Sequence, residues 1–399
     1  MKDRKAVHRS ESVDDRSDCV VVGASFAGLA CAKSLAVSGL RVTVLERKSD
    51  PGEKLHTTGI IVKDAIDQIA LLDGLPAELV RRVDGVRLYS PSMQWVDLAA
   101  PGYYFLATDT ANVMRWLARQ AEKAGARIAY GTTFRDAKRA RGGFDLGELG
   151  AARFLVGADG SRSRVAATLG LGRSRKFLFG VEHEYAGTEV VEPGKLHCFI
   201  DRRIAPGYIG WVIAGVHEAQ VGLARRLRGK PVHPNAAMRA FLDKVAPVFD
   251  FRDLEPSCIR AGLIPCGGVV RPAAARRALL VGDAAGMVSP VTAGGIHTAL
   301  KHGSAAGHAI AGYLSGKCED PSGWFVDGYP SFRAKRLLRF LFDHCQSDTA
   351  FDLLLGTRAM RMAASLVYFH HRGAFEPPAR RGIRRLPREI PEEGSDPRV

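Results

Sequence analysis

One stretch, Cys19 to Glu46, constrains this chain more than any other. Four apolar residues, Cys19 to Val22, have the length and character of a buried strand. Gly23-Ala24-Ser25-Phe26-Ala27-Gly28 follows, then a helical run that stops near Gly39, a residue suited to ending a helix. Val42 to Leu45 is a second apolar strand. It closes on Glu46, 18 residues beyond Gly28. Strand, tight turn, helix, and a strand ending on an acid make the unit that holds a dinucleotide. Gly23 permits the turn, and Gly28 lets helix and strand pack closely. Ser25 replaces the usual middle glycine; it is small, and its hydroxyl can donate to a phosphate. The helix start, around Ala27, offers free N–H groups and a positive dipole end to a diphosphate. Glu46 can accept from both ribose hydroxyls, with Arg47 beside it.

Two later stretches fit the same site. Ala152 to Val165 reads as a buried strand ending in Asp159-Gly160, then a basic turn entering a helix. Asp159 can cap that helix or hold a loop near phosphates. Ala278 to His297 contains a strand ending at Gly282-Asp283, a loop of small residues, and Gly294-Gly295-Ile296 opening a helix to about Leu314. Asp283 can accept from a polyol such as ribitol. The glycine-led helix start can set N–H groups at flavin N1/O2, atoms that turn negative on reduction. That favours a flavin, FAD, over a nicotinamide alone. The loop Glu53 to Gly59, with His56 and Thr57, has the size to run under an isoalloxazine; a polar surface loop is the alternative.

The chain has 399 residues, which favours two domains. Its formal charge of +15 favours anionic ligands: phosphorylated cofactors, acidic substrates or an anionic membrane surface. No zinc-finger spacing or nucleic-acid motif accompanies the charge, so nucleic acid is not expected. Seven scattered cysteines, odd in number and without a CxxC, argue against disulfides and metal sites and fit a reducing, cytoplasmic setting. Residues 1–17 and 376–399 read as disordered tails.

Between these landmarks, Val62 to Leu72 reads as an amphipathic helix. Val83 to Leu88, Gln94 to Ala99 and Tyr103 to Ala107 read as three strands of one sheet, Asn112 to Gly125 as a helix, and Gly143 to Leu149 as a strand. Phe179 to Asp253 alternates strands in a mostly antiparallel pattern. Ser331 to Gly373 is helical, basic and apolar: a docking helix pair, or an element lying on a membrane surface. The expected architecture is an α/β, Rossmann-like FAD-binding domain (18–82, 108–178, 256–320). An inserted antiparallel substrate domain (83–107, 179–255) and a helical C-terminal region (321–375) complete it.

Taken together, the three stretches resemble FAD-dependent oxidoreductases of the aromatic-hydroxylase-like superfamily, over about residues 18 to 315. Within it, Gly180-Val-Glu-His-Glu-Tyr185, the strand Tyr208-Ile-Gly210-Trp211-Val212 and the helical C-terminus resemble the geranylgeranyl reductase family. That family saturates isoprenoid double bonds with noncovalent FAD. Its strand reads aromatic-x-Trp-x-Phe-Pro, of which Trp211 is kept here. Its loop cysteine before Gly59 corresponds to Thr57, and its arginine before the next helix to Thr110. The resemblance implies that NAD(P)H or another electron donor loads the flavin, which then passes hydride to a C=C bond of a hydrophobic substrate. Trp211 is the candidate substrate contact; His56, Tyr208 and His297 are candidate proton donors. The alternatives are a flavin monooxygenase or halogenase acting on an aromatic or polyketide-like substrate, a flavin-binding subunit without turnover, and an NAD dehydrogenase.

Overall fold

The computed structural model describes residues 16–227 and 234–369. It opens with β1 (Arg16–Val22), α1 (Phe26–Val37) and β2 (Val42–Leu45). Arg16 and Ser17 pair with Ala151 and Ala152, so they belong to the first strand rather than to the tail expected over 1–17. Residues 1–15, and the tail expected over 376–399, lie outside the described residues. Next come β3 (Ile60–Val62), α2 (Lys63–Gln68), β4 (Val80–Val83), β5 (Gly85–Tyr89), β6 (Trp95–Ala99), β7 (Phe105–Thr108), α3 (Thr110–Lys123) and β8 (Arg127–Ala129). A hairpin, β9 (Lys138–Ala140) and β10 (Gly143–Asp145), leads into β11 (Ala151–Gly157) and α4 (Arg164–Thr168).

Five strands then alternate with one helix: β12 (Phe177–Ala186), β13 (Lys195–Phe199), β14 (Gly210–Ala214), β15 (Glu218–Arg226), α5 (Pro234–Val245) and β16 (Cys258–Pro265). The chain returns through β17 (Ala274–Ala275), β18 (Ala278–Leu280) and α6 (Ile296–Leu314). It continues in α7 (Arg333–Cys345), α8 (Asp348–Leu354) and α9 (Arg358–Phe369).

The first sheet runs β17-β18-β11-β1-β2-β8. From β18 to β8 every neighbour is parallel. Cys19 to Val22, Val42 to Leu45 and Phe154 to Gly157 are buried throughout, as strands covered on both faces must be. α1 packs against both α3 and α6. The second sheet runs β16-β12-β15-β14-β13-β5-β6 and is antiparallel except where β13 meets β5. A small sheet, β3-β7-β4, stands as a third unit. The molecule is thus mixed α/β with several sheets.

Three local expectations change. The helix expected over Val62 to Leu72 begins as a strand: Ile60, Ile61 and Val62 pair with β7, and only Lys63–Gln68 is α-helical. β-Branched side chains with a partner strand outweigh a helical apolar spacing. The strand expected over Tyr103 to Ala107 does not join β5 and β6; β7 pairs with β3 and β4 instead. The strand expected over Gly143 to Leu149 stops at Asp145, whose carboxylate accepts from Gly147 N at 2.8 Å and turns the chain into a 3-10 turn. In addition, Cys258–Pro265, read with the nucleotide unit, pairs with β12 in the second sheet.

Candidate active site

The turn after β1 is shaped by what its glycines exclude. Gly23 sits at φ +102°, and a Cβ there would meet Ala158 O at 2.5 Å. A Cβ on Gly28 would lie 2.0 Å from Gly23 O. Ser25 is the N-cap of α1: its Oγ accepts from Gly28 N at 3.2 Å and donates to Ala158 O at 3.0 Å. The hydroxyl proton expected for a phosphate is therefore spent on Ala158. The backbone N–H groups of the turn and helix start are what the turn still offers an anion. Glu46 is buried at the end of β2; its two oxygens accept from Ala24 N at 2.8 Å and Lys48 N at 3.0 Å. Those bonds aim the carboxylate at the turn and leave each oxygen lone pairs for a ribose. Arg47 is exposed at the rim.

Asp159 works as a cap. It accepts from Ser163 Oγ at 2.6 Å, Arg164 N at 2.6 Å and Val165 N at 3.1 Å, which fixes the basic turn beside the nucleotide unit. Asp283 lies close to the first turn, because a Cβ on its neighbour Gly282 would stand 2.9 Å from Ala27 Cβ. Its carboxyl accepts no hydrogen bond from the described residues, and burial pushes it up to about 6. Gly295 caps α6 without a side-chain partner, so the first-turn N–H groups stay available. Gly294, Gly295 and Ile296 border the same cavity as Asp283.

This cavity measures about 1870 Å³, well above the ~300–1,000 Å³ of a drug-sized site. One end has the turn, Glu46, Asp159, Asp283 and the start of α6. The other is apolar: Leu88, Leu196, Cys198, Ile200 and Trp211 from the second sheet face Phe342, Met360 and Val367 from the C-terminal helices. The loop His56 to Gly59 stands between the two ends, and it is pinned from both sides. Thr108 Oγ1 donates to Gly59 O at 2.7 Å, and Thr110 Oγ1 to Thr58 O at 3.1 Å. Thr110, at the family's arginine position, thus anchors this loop. From the second sheet, Arg260 donates to Thr57 O at 3.0 Å, and Glu182 accepts from Thr58 Oγ1 at 2.5 Å.

The named proton-donor candidates are otherwise engaged. Tyr208 donates its hydroxyl to Thr292 O at 2.5 Å, and burial raises its pKa far above the ordinary value. His56 Nδ1 donates to Ala261 O at 2.7 Å, because a carbonyl only accepts. His297, though beside Ile296, does not border the cavity. Trp211 does border it, and its indole N–H donates to Glu182 Oε2 at 2.9 Å.

Sequence reasoning missed Glu182, Glu184 and Arg260. Glu182 and Glu184 are buried on one face of β12, and Arg260 is the register partner of Glu182 on β16. Arg260 lies 2.5 Å from Glu184 Oε1 and 3.8 Å from Glu182 Oε1. Burial pushes both carboxyls above the usual range, against the pull of Thr58, Arg260 and Trp211 on Glu182 and of Arg260 on Glu184. The period-two acids in Glu182-His183-Glu184 were the one available signal, since such a pattern on a buried strand requires partners. Among the described residues no cluster of His, Cys, Asp or Glu could hold a metal ion.

The FAD binding domain family matches residues 16–337. Digeranylgeranylglycerophospholipid reductase 2 of Methanopyrus kandleri is 30% identical over 328 residues, covering 78% of this chain and 81% of the relative. A reductase of the same name from Methanosphaera stadtmanae is 29% identical over 313 residues, covering 74% and 78%. Among solved structures, a geranylgeranyl bacteriochlorophyll reductase-like protein from Thermoplasma acidophilum superposes with a TM-score of 0.77 at 18% identity. It covers 90% of this chain and 97% of that one. A myxobacterial chondrochloren halogenase gives 0.68 at 18% identity, covering 91% and 92%. At these identities the two structures speak to the fold.

Proposed function

The chain belongs to the geranylgeranyl reductase family of FAD-dependent oxidoreductases, and on that premise we propose that it saturates C=C bonds in a long isoprenoid lipid. The observation that carries this reading is the continuity of one cavity from a cofactor cradle into an apolar arm. In the cradle, Glu46 takes the adenosine ribose and the start of α1 the diphosphate. Asp283 takes the ribityl chain, and the N-terminus of α6 the pyrimidine edge of the ring. The fit has its own support: Asp283 is a half-buried carboxyl that accepts no hydrogen bond from the described residues, and the N-cap of α6, Gly295, brings no side-chain partner. When bound, FAD supplies hydride chemistry between an electron donor, NAD(P)H or another reductant, and the alkene. The pinned loop His56 to Gly59 sets the boundary between ring and substrate. Trp211 and the apolar walls from both sides of the arm align the prenyl chain and exclude water.

The second sheet and α7 to α9 form the substrate side in this reading, and the helices also meet the membrane that supplies the lipid. α7 is inside out: Arg339 is its buried side chain, hydrogen-bonded to Gly207 O and paired with Asp343. Leu337 and Phe340 are 63% and 56% exposed. On α8 and α9, Leu353 and Met362 are 75% and 73% exposed. Arg333, Arg336, Arg358 and Arg361 lie on α7 and α9 among these apolar positions, a combination suited to an anionic leaflet. No helix of the described residues is long and apolar enough to cross a membrane.

Anaerobic reduction followed by mixing tests the reading. Digeranylgeranyl lipids are expected to reoxidise the bound flavin without oxygen. Reoxidation only by oxygen, accelerated by an aromatic compound, would replace this reading with a monooxygenase.

A further inference from the structure

We infer that Gly222 and Glu182 set the course of the prenyl chain by holding the Trp211 indole in place, an inference that rests on the reductase reading above. Gly222 is then a specificity-determining position and Glu182 a positioning residue that acts through Trp211. Trp211 on β14, Gly222 on β15 and Glu182 on β12 lie opposite one another in register, so they share one face of the second sheet. The same row continues from Trp211 to Cys198 and Leu88, which border the apolar arm with it. Neighbouring strands stand about 4.8 Å apart, so an indole on β14 reaches a carboxyl on β12 only across whatever β15 carries between them. There β15 carries no side chain. A Cβ on Gly222 would meet Trp211 Cζ2 at 2.3 Å, Cε2 at 2.5 Å and Nε1 at 2.9 Å. The indole occupies the room that a side chain would take, and its N–H donates to Glu182 Oε2 at 2.9 Å.

Oε2 serves a second donor. Thr58 Oγ1 reaches it at 2.5 Å, from the loop that stands between the cofactor end and the arm. One buried oxygen therefore fixes the indole against the loop. Gly262 on β16 repeats the device: a Cβ there would lie 2.7 Å from His56 Cβ. The sheet thus leaves one glycine gap for the indole and another for the loop. A chain running along Trp211 arrives at the loop at a set depth.

Filling the gap moves the indole in a known direction. A side chain at position 222 must push the ring atoms out by about 1 Å to reach ordinary contact. The sheet closes one side and the cavity opens the other, so the ring moves into the arm. Misplacement of about 1 Å can cost about 100-fold in rate even when the change is far from the chemistry.

The test uses holoenzyme with 5-fluorotryptophan at its four tryptophans. The Trp211 fluorine resonance is the one missing from Trp211→Phe. It is expected to shift in Gly222→Ala and Glu182→Leu, and to stay near its wild-type position in Glu182→Gln, whose amide oxygen still accepts from the indole. After anaerobic reduction with dithionite, G222A and E182L are expected to reoxidise about 10- to 100-fold more slowly with saturating digeranylgeranyl lipid. Reoxidation by oxygen, which needs no alignment by the arm, is expected to stay near that of wild type. Glu182→Gln is expected to restore most of the lipid rate lost in E182L. In a Trp211→Phe background, Gly222→Ala is expected to cost far less of the lipid rate than it does with the indole present. An unmoved Trp211 resonance in G222A, or an equal rate loss with and without the indole, overturns the proposal; so does E182Q as slow as E182L. Should E182L fail to hold FAD, G222A and its double variant with Trp211→Phe decide the matter, because they leave the buried carboxyl in place. If no isoprenoid reoxidises wild type, the substrate reading has failed, and the fluorine resonances still judge whether Gly222 and Glu182 seat the indole.

Discussion

The two large sheets solve different problems with different parts of the chain. The parallel sheet holds its site with backbone: glycines that admit a close approach, helix ends, and carboxylates such as Asp159 tied to neighbouring N–H groups. The seven-stranded sheet holds its side with buried ionisable groups, Glu182, Glu184 and Arg260, whose partners come from distant stretches. The difference teaches where each site is vulnerable. A backbone cradle fails when volume is added. A buried charge cluster fails when one member is removed.

Adding volume is the harsher way to break that contrast. Gly28→Val places side-chain atoms against Gly23 O, which a Cβ would already meet at 2.0 Å. The expected loss is about 4 kcal/mol or more, with colourless protein, read by denaturant unfolding and flavin absorbance. Removing a charge comes next. Arg260→Leu leaves two buried carboxyls unpaired and is expected to cost about 3–5 kcal/mol at neutral pH. Because Glu182 and Glu184 then hold their protons still more tightly when folded, the deficit shrinks as pH falls and they protonate. A deficit that grows in acid would show that the cluster is not what Arg260 supports.

Asp283 sharpens the comparison from inside the cradle, as a carboxyl that accepts no hydrogen bond among the described residues. Its folded pKa of about 6 stands above its ordinary value of 3.8. The carboxyl therefore costs stability, a cost absent below the unfolded pKa, growing through this window and fully present above about pH 6. Asp283→Asn apoprotein is expected to be more stable at pH 7 by about 1–3 kcal/mol, and no more stable near pH 4. FAD affinity is expected to fall about 10- to 100-fold, the worth of a charged hydrogen bond. Thermal unfolding across pH and flavin titration read the two halves.

How far each region could be read from residues alone follows the same division. Gly23, Gly28, Glu46, Asp283 and Gly294-Gly295 lie in short stretches where spacing alone encodes strand, turn and helix, so those local elements were legible. The hydroxyl of Ser25 was misassigned because its acceptor, Ala158, is 133 residues away. Glu182 depends on Thr58 and Trp211, and Arg260 on Thr57; separations of 29 to 203 residues leave no local pattern. The β3-β7-β4 sheet was missed for the same reason, since Ile60–Val62 shows its strand character only against β7.

The smallest effect on folding concerns α7. Leu337→Ser and Phe340→Ser remove exposed side chains, so unfolding is expected to move by no more than about 0.5 kcal/mol. Flotation with anionic vesicles is expected to weaken by about tenfold per residue. A large stability loss with unchanged flotation would place this face against protein instead of lipid.

The most direct measurement is the mass of a digeranylgeranyl lipid recovered after an anaerobic single turnover with reduced holoenzyme. The account predicts that the lipid gains one H2 for each flavin reoxidised. A lipid recovered unchanged, or flavin reoxidised with no hydrogen gained, would contradict it.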